Sequence, residues 1–503
     1  MKQLLENLPA RLGLQGNGWD ARTTARLIGA MLLLYGLFFA LYYPDVVIND
    51  DESEFLRQTQ LLLQGTSSVV QVDPFTGAEV EVVPGTYPLG TPLLSAPFVA
   101  VAGWRGAFLP ACLSLIAAVL LTAAWIRREG RSPVFALILL GFPPALVMGR
   151  VAMSDVPSAA VVALGLWLFW RGIEGKPGWW LASGFVAGAS LVFRVTNPLL
   201  FVPLYAGTVL RREWKCWALI VGGLVGIAMR PLTMQFYFGS ALFERSMYHF
   251  SPETLFERIP LYLFGLLLLV PGGLCFAFLY RGRRRPEVLA TLGLFVAFFL
   301  FQKYSTVETG LPKRIVLGLR YFIPLLPLLA FAMAESVPRL WQRWITPRGP
   351  SAVRWASGAV AAWLVIVAVA TVSVHPFFNA WSATQAQIRD EIERVVPDDA
   401  VLLTNWSGTK KFVRQLERRY VVVKVTKFPT ERVAGLFERH PEVYLVLLDR
   451  TDSAWWRRRG EWIAAFLEEI GVRDAPETDL RPTSTDRLRI WRIEGPPRGE
   501  ASL

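Results

Sequence analysis

The sequence predicts a mostly α-helical protein: a polytopic transmembrane helical bundle of about eleven spans, followed by a small C-terminal α/β domain. Of its 503 residues, 53% are hydrophobic, and the mean hydropathy is +0.38. The apolar residues form blocks, as in a membrane bundle rather than one large soluble core. Several blocks are shorter than the roughly 20 residues that a helix needs to cross a bilayer, so the count depends on where each block ends. The blocks lie at about 27–43, 106–126, 132–149, 156–170, 178–193, 195–210, 216–236, 259–280, 287–301, 321–338 and 355–375.

Basic residues in alternate connections predict a multi-pass protein of the cell membrane with a cytoplasmic N-terminus. The six connections that would then face inward hold 20 Lys and Arg against 5 Asp and Glu, as the positive-inside rule requires. We therefore expect a cytoplasmic segment at 1–26, a transmembrane domain at 27–375 with its first outer loop at 44–105, and an extracytoplasmic domain at 376–503. The net charge of +12 then reflects orientation, and no nucleic-acid partner is expected. The six connections are 1–26, 127–131, 171–176, 211–215, 281–285 and 339–354.

The first 26 residues are polar and show no cleavage site, so no cleavable signal is expected. The three cysteines fall in or beside predicted spans, which argues against a disulfide framework. The three histidines are too far apart in sequence to indicate a zinc site. We expect no metal ion and no cofactor.

The first outer loop begins with a dense acidic cluster, Asn49-Asp50-Asp51-Glu52-Ser53-Glu54-Phe55. Four carboxylates within seven residues are costly at a membrane surface unless they are solvated or used. The cluster is therefore either a solvated loop or the position of a catalytic carboxylate at the outer face.

The rest of this loop predicts three elements. Residues 54–63 have the pattern of an amphipathic helix at the membrane interface, which Gly65 would end. Residues 69–83 alternate around Asp73–Gly77 and predict a β-hairpin. Prolines 88, 92 and 97 favour a short re-entrant or interfacial helix over a continuous span.

The later outer loops carry cations and one further carboxylate. Asp155, preceded by Ser154 and followed by Pro157, is typical of a helix N-terminus, but it could also be a second functional carboxylate. An Arg at a membrane border is commonly a snorkelling anchor. Several cations in outer loops oppose the positive-inside bias, and they could instead bind a phosphate, for which Arg offers bidentate donors. The candidates are Arg150, Arg194, Arg230, Lys303, Lys313, Arg314 and Arg320.

The tail alternates short strands with helices, which predicts a small α/β domain. Helices are expected at 383–395, 409–418, 430–438 and 454–470, and strands at 400–404, 420–425 and 443–448, with 487–493 as an edge strand. Asn405-Trp406-Ser407 matches the N-glycosylation triplet, which also occurs by chance.

These motifs together resemble the GT-C glycosyltransferases, and within them the protein O-mannosyltransferase and lipid A aminoarabinose transferase type. That pattern has an Asp-Glu pair in the first outer loop with an aromatic shortly after, and Asp51-Glu52-Ser53-Glu54-Phe55 is similar, with Phe where Tyr is common. Tyr87–Pro97 resembles the Pro-containing stretch, Arg150–Pro157 the second acidic segment, and Arg320-Tyr321-Phe322-Ile323-Pro324 the Arg-Tyr start of a late span. The resemblance covers about 27–338 and does not reach the tail.

The resemblance implies transfer of a sugar from a polyprenyl-phosphate donor to a glycan, lipid or protein acceptor at the outer membrane face. It implies Asp51 as the general base, with Glu52 and Asp155 as further catalytic candidates. It implies Arg320 at the donor phosphate, and the remaining substrate-binding candidates are Tyr321, Lys303, Lys313, Arg314, Arg150, Arg194 and Tyr87.

Three other interpretations remain open from the sequence. A secondary transporter would explain the spans but predicts internal repeats and midplane carboxylates, whereas the clearest acids here lie at outer ends of spans. A polysaccharide polymerase or ligase would use outer-loop cations but does not explain the acidic first loop. A non-catalytic assembly protein is the third.

Overall fold

The computed structural model describes residues 20–48, 50–83, 87–239, 249–303, 311–397, 400–405, 421–424, 436, 439–440, 442–450, 465, 467–468, 476–483 and 486–494. They divide into two compact units. The first comprises the described parts of Met1–Tyr43, Pro88–Phe98 and Ala107–Phe377, and the second those of Pro44–Tyr87, Val99–Gly106 and Phe378–Leu503.

The described residues are mostly helical, as predicted. Five of the predicted apolar blocks contain short helices that 3₁₀ or π segments interrupt or extend, while the others contain long helices. The helices are α1 Ala21–Leu41, α2 Asp50–Leu63, α3 Gly90–Ala102, α4 Leu109–Arg128, α5 Ile138–Gly141, α6 Pro143–Met148, α7 Asp155–Glu174, α8 Pro177–Ala189, α9 Val202–Leu210, α10 Cys216–Phe238, α11 Glu253–Phe264, α12 Gly273–Phe278, α13 Arg285–Phe301, α14 Leu311–Leu319, α15 Leu326–Leu340 and α16 Pro350–Val395.

Within the described ranges, six helical stretches are long and apolar enough to cross a membrane: Ala21–Leu41, Gly90–Arg128, Asp155–Glu174, Cys216–Phe238, Ile315–Arg348 and Pro350–Val395. The protein is therefore a multi-pass membrane protein. In the apolar 18-residue window of the stretch that contains α15, 89% of the residues are buried, against 22% in the apolar window of α1. Leu33, Leu34 and Leu37 of α1 are exposed, as expected for side chains that face lipid, where apolar surface needs no protein cover.

Helices α8 and α10 pack backbone to backbone through glycines, a feature that the sequence analysis missed. Each helix carries a Gly-x-x-x-Gly pattern, at Gly184 and Gly188 in α8 and at Gly222 and Gly226 in α10. A Cβ on Gly226 would lie 2.2 Å from the carbonyl oxygen of Phe185, and one on Gly222 would lie 2.1 Å from that of Leu181. Small residues allow this approach, and close van der Waals packing drives helix association in membranes.

We expect Gly226→Ala to destabilise the transmembrane unit. Overpacking costs typically about 1–3 kcal/mol, and here the added methyl meets backbone, which cannot rotate away. Thermal unfolding of the purified protein in detergent measures the loss. Gly223→Ala is the matched control, because its Cβ would lie 4.0 Å from the carbonyl oxygen of Gly184, an ordinary contact. Equal melting temperatures for the two variants would contradict this packing.

The first outer loop folds largely as predicted. After α2, strands β1 Val69–Val72 and β2 Glu79–Val82 pair antiparallel, and Gly77 takes φ +72° at the turn. The prolines favour a short helix, and α3 has 13 residues. It continues through Pro97, and the chain turns at Gly103, whose φ is +62°, before α4 begins.

The tail contains the predicted sheet. Besides the two-residue strands β3 His249–Phe250 and β4 Gln302–Lys303 of the first unit, the strands are β5 Val401–Thr404, β6 Val421–Lys424, β7 Glu442–Arg450, β8 Thr478–Leu480 and β9 Asp486–Glu494. The sheet order is β6-β5-β7-β9-β8, with β5 parallel to β6 and β7 and with β9 antiparallel to β7 and β8. The predicted edge strand at 487–493 is therefore an inner strand. Its neighbour β8 has three residues, too few to show an alternating pattern. The helices expected at 409–418, 430–438 and 454–470 lie outside the described residues except for isolated positions.

Both faces of this sheet are covered, which explains its apolar strands. One face packs Leu402, Tyr444 and Val446 against Ile388 and Ile392 of α16. The other face is called here the second sheet face. It presents Val401, Leu403, Val443, Leu445, Leu447 and Trp491, which cluster with Leu436.

Asn405 has a structural role that excludes glycan attachment in the folded domain. Its side chain is fully buried. Its Nδ2 donates to the carbonyl oxygen of Leu448 at 2.9 Å, and its Oδ1 accepts from the Leu448 N–H at 3.0 Å. The amide therefore joins the end of β5 to β7, and the glycosylation triplet is a chance match.

Candidate active site

The candidate base lies on α2, whose sequence suits the start of a helix. Asp51, Glu52 and Glu54 lie near its N-terminus, where negative charge interacts favourably with the helix dipole. The helix ends where Gly65 takes φ +69° and the Thr66 N–H reaches the carbonyl oxygen of Leu61 at 3.0 Å, a common C-terminal cap. Asp51, Glu52 and Glu54 thus lie in the first turns of a helix rather than in a loop.

Tyr87 contacts one face of α2 at three positions. Its Oη donates to Oδ1 of Asp51 at 2.6 Å, its ring lies 5.0 Å from that of Phe55, and its carbonyl oxygen accepts from Nε2 of Gln58 at 3.4 Å. Residues 51, 55 and 58 share a helical face because their spacing is four and three. Tyr87 therefore holds the Asp51 carboxylate in a defined orientation.

Glu52 differs from its neighbour. It is fully buried, while Asp51 is half-buried, and its Oε2 accepts from the Ile48 N–H at 2.9 Å. This bond ties the chain before α2 to the first turn of the helix. Such a position suits a structural role and leaves Asp51 as the better candidate for contact with an acceptor.

In the first unit, Asp155 pairs with Arg194. The Asp155 side chain is 1% exposed and that of Arg194 is 13% exposed, with an ion pair between Oδ1 and the guanidinium. Ser154, at the N-cap of α7, makes no capping bond with its side chain. The prediction that Ser154 caps α7 through its side chain is therefore wrong. Asp155, in the first turn of α7, is the ionic partner of Arg194.

Two guanidinium groups meet at Tyr321. The Cζ atoms of Arg194 and Arg320 lie 4.8 Å and 5.1 Å from the centroid of its ring. Arg320, only 4% exposed, donates to Tyr321 Oη at 3.1 Å and to Met153 Sδ at 3.2 Å. The ring of Tyr321 stacks in turn on Phe299 with centroids 5.2 Å apart. The structure thus brings together Asp155, Arg194, Arg320 and Tyr321, four of the residues that the sequence singled out.

Arg150 belongs to a different cluster. Its guanidinium contacts the carbonyl oxygen of Tyr42, approaches Nδ1 of His375 at 3.4 Å, and lies 5.4 Å from the ring of Phe38. Burial lowers the pKa of Arg150 to about 10, and nearby tyrosines, Tyr35 first, oppose the shift. Arg150 remains charged at neutral pH. Its partners join α1 and α16, which no sequence pattern indicated.

The side chains of Lys303, Lys313 and Arg314 lie outside what the structure describes. Among the described residues, no group of three or more His, Cys, Asp or Glu side chains could hold a metal ion.

Comparison with known proteins gives structural matches only. No family model matches the sequence, and no curated protein does. The crystal structure of ArnT from Cupriavidus metallidurans bound to undecaprenyl phosphate superposes with a TM-score of 0.60 at 16% identity, over 94% of this chain and 98% of that one. ArnT is a lipid A aminoarabinose transferase of the GT-C superfamily. This chain has the GT-C fold.

A second structure with the GT-C fold is the Archaeoglobus fulgidus oligosaccharyltransferase tethered to an acceptor peptide. It matches with a TM-score of 0.45 at 12% identity, over 92% of this chain and 74% of that one. Because the match to ArnT covers 94% of this chain, it reaches into the C-terminal tail, which the sequence resemblance at 27–338 did not.

Proposed function

We propose that this protein is a membrane glycosyltransferase that moves a sugar from a polyprenyl-phosphate donor to an acceptor at the outer side of the cytoplasmic membrane. The observation that carries the proposal is the pair of guanidinium groups, Arg194 and Arg320, held against Tyr321. Two cations within about 5 Å of one ring offer a phosphate several charge-assisted donors. The fold shared with ArnT, which was crystallised with undecaprenyl phosphate, supports the same class of donor.

Asp51 then acts as the general base. The acceptor hydroxyl gives its proton to the Asp51 carboxylate, and its oxygen bonds to the anomeric carbon of the sugar. The bond between that carbon and the phosphate oxygen breaks, and the polyprenyl phosphate leaves with the electron pair. Arg320, assisted by Arg194, stabilises the charge that develops on the leaving phosphate. One displacement of this kind inverts the anomeric centre.

The acceptor is a glycan, a lipid or a protein, and chemical analysis of the cell's sugars would identify it. Mass spectrometry should compare lipid-linked sugars and surface glycans in a deletion strain with those of its parent. We expect the donor lipid to accumulate and one surface sugar to disappear. Unchanged profiles, together with no transfer by the purified protein, would refute the proposal.

If sugar transfer takes place at the outer face of the membrane, the C-terminal domain should lie outside and the N-terminus in the cytoplasm. Reporter fusions at Arg283 and after Leu503 should report the cytoplasm and the outside, respectively, because the alternate connections are basic. A cytoplasmic signal from the fusion after Leu503 would contradict an odd number of spans.

A further inference from the structure

The hairpin of the first outer loop is anchored on the C-terminal sheet, within the second unit. Phe75, at its turn, packs partly buried against the second sheet face. Beside it, Nε2 of His440 lies 2.9 Å from the carbonyl oxygen of Pro74. Because a carbonyl oxygen only accepts hydrogen bonds, His440 carries its proton on Nε2 here. The anchor combines apolar burial with one directional bond.

A second anchor lies before α2 in the sequence, at Asp45. The Asp45 carboxylate accepts from Nε of Arg105 at 3.0 Å, and its carbonyl oxygen accepts from the guanidinium of Arg389 at 2.7 Å. Arg389 lies on α16, in the part that belongs to the second unit. Its side chain is 12% exposed, against 53% for Arg105. Exposed ion pairs contribute little to stability, so the bond from Arg389 to the backbone is the stronger constraint.

The two anchors therefore hold the chain before and after the helix that carries Asp51. A general base must be placed within a fraction of an ångström of its working position, and a misplacement of about 1 Å can cost a hundredfold in rate. Loops are the most mobile parts of most proteins, whereas a sheet covered on both faces is rigid.

We propose that the C-terminal α/β domain positions the Asp51 helix, with Phe75, His440 and Arg389 as positioning residues. The catalytic part of this inference rests on the proposed function. The role assigned to the tail goes beyond it, since sugar transfer alone would not require a sheet outside the membrane.

Hydrogen exchange of the full-length protein tests the anchoring without any substrate. We expect Phe75→Ala and Arg389→Gln each to raise the exchange rate of the α2 amides, residues 50–63, at least severalfold, because each loosens one end of the helix. Phe75→Leu keeps an apolar anchor and should restore most of the protection. Val70→Ala is the matched control, since Val70 lies in the same hairpin and is 54% exposed.

Kinetics test the catalytic consequence. For Phe75→Ala and Arg389→Gln we expect kcat to fall about tenfold, while KM for the polyprenyl-phosphate donor stays within about twofold because the phosphate cations are not altered. Unchanged α2 exchange in both variants would overturn the anchoring. Faster exchange of the α2 amides together with a wild-type kcat would overturn the positioning role. If Phe75→Ala fails to fold, Arg389→Gln decides both points. If the wild-type protein transfers no sugar, the proposed function fails and the exchange data still decide the anchoring.

Discussion

Replacing Asp51 with asparagine is expected to lower kcat for sugar transfer by roughly 10²- to 10⁴-fold, the usual contribution of a general base. The amide keeps the size and shape of the carboxylate. Its Oδ1 can still accept from Tyr87 Oη, which lies 2.6 Å from Asp51 Oδ1 in the native protein, so α2 should remain folded. Donor binding should be largely unchanged. The measurement is turnover of a polyprenyl-phosphate sugar by the purified variant, together with its melting temperature.

Two variants separate loss of the base from other causes. Glu79→Gln removes an exposed carboxylate from the same loop and should leave turnover within about twofold, as for most surface substitutions. Asp155→Asn should lower both activity and melting temperature, because breaking a buried ion pair costs about 3–5 kcal/mol and leaves Arg194 without its carboxylate. Near-normal turnover in Asp51→Asn would rule out the base assignment.

Arg320→Ala is expected to weaken binding of the polyprenyl-phosphate donor by about 10- to 100-fold. Hydrogen bonds to charged groups contribute about 1.5–3 kcal/mol each, and each 1.4 kcal/mol corresponds to a factor of about ten. The variant should also slow departure of the phosphate and affect acceptor affinity less. Donor titration and single-turnover kinetics measure the two effects separately. Arg343→Ala is the control, an exposed arginine in a connection predicted to face the cytoplasm.

Arg320→Lys distinguishes a phosphate ligand from a general positive charge. Lysine places a point charge where arginine presents a planar fork of donors, so only partial rescue is expected. If Arg320→Ala binds the donor as tightly as the native protein and turns over normally, Arg320 is only a snorkelling anchor. The phosphate site would then have to be sought at Arg150, Arg194 or Arg230.

Much of the architecture was predictable because it depends on local pattern. Apolar blocks identify membrane helices, since a helix in lipid satisfies its own backbone hydrogen bonds. Gly65 and the alternating residues around Gly77 likewise predicted the end of α2 and the hairpin. The prediction was wrong where a local signal was weak. Strand β8 is too short to be recognised, so the alternating pattern of β9 predicted an edge strand where the sheet has an inner one.

The sequence alone predicts the fold class, the tail's α/β character and residue types suited to the chemistry. It singled out Asp51, Tyr87, Arg194 and Arg320 without indicating which of them meet. The three-dimensional structure adds that Tyr87 bonds Asp51 across 36 positions of sequence, that Arg194 and Arg320 share Tyr321, and that Phe75 packs on the tail. Periodicity and charge report a residue's immediate surroundings, whereas these contacts depend on how distant segments pack, which short-range pattern does not encode.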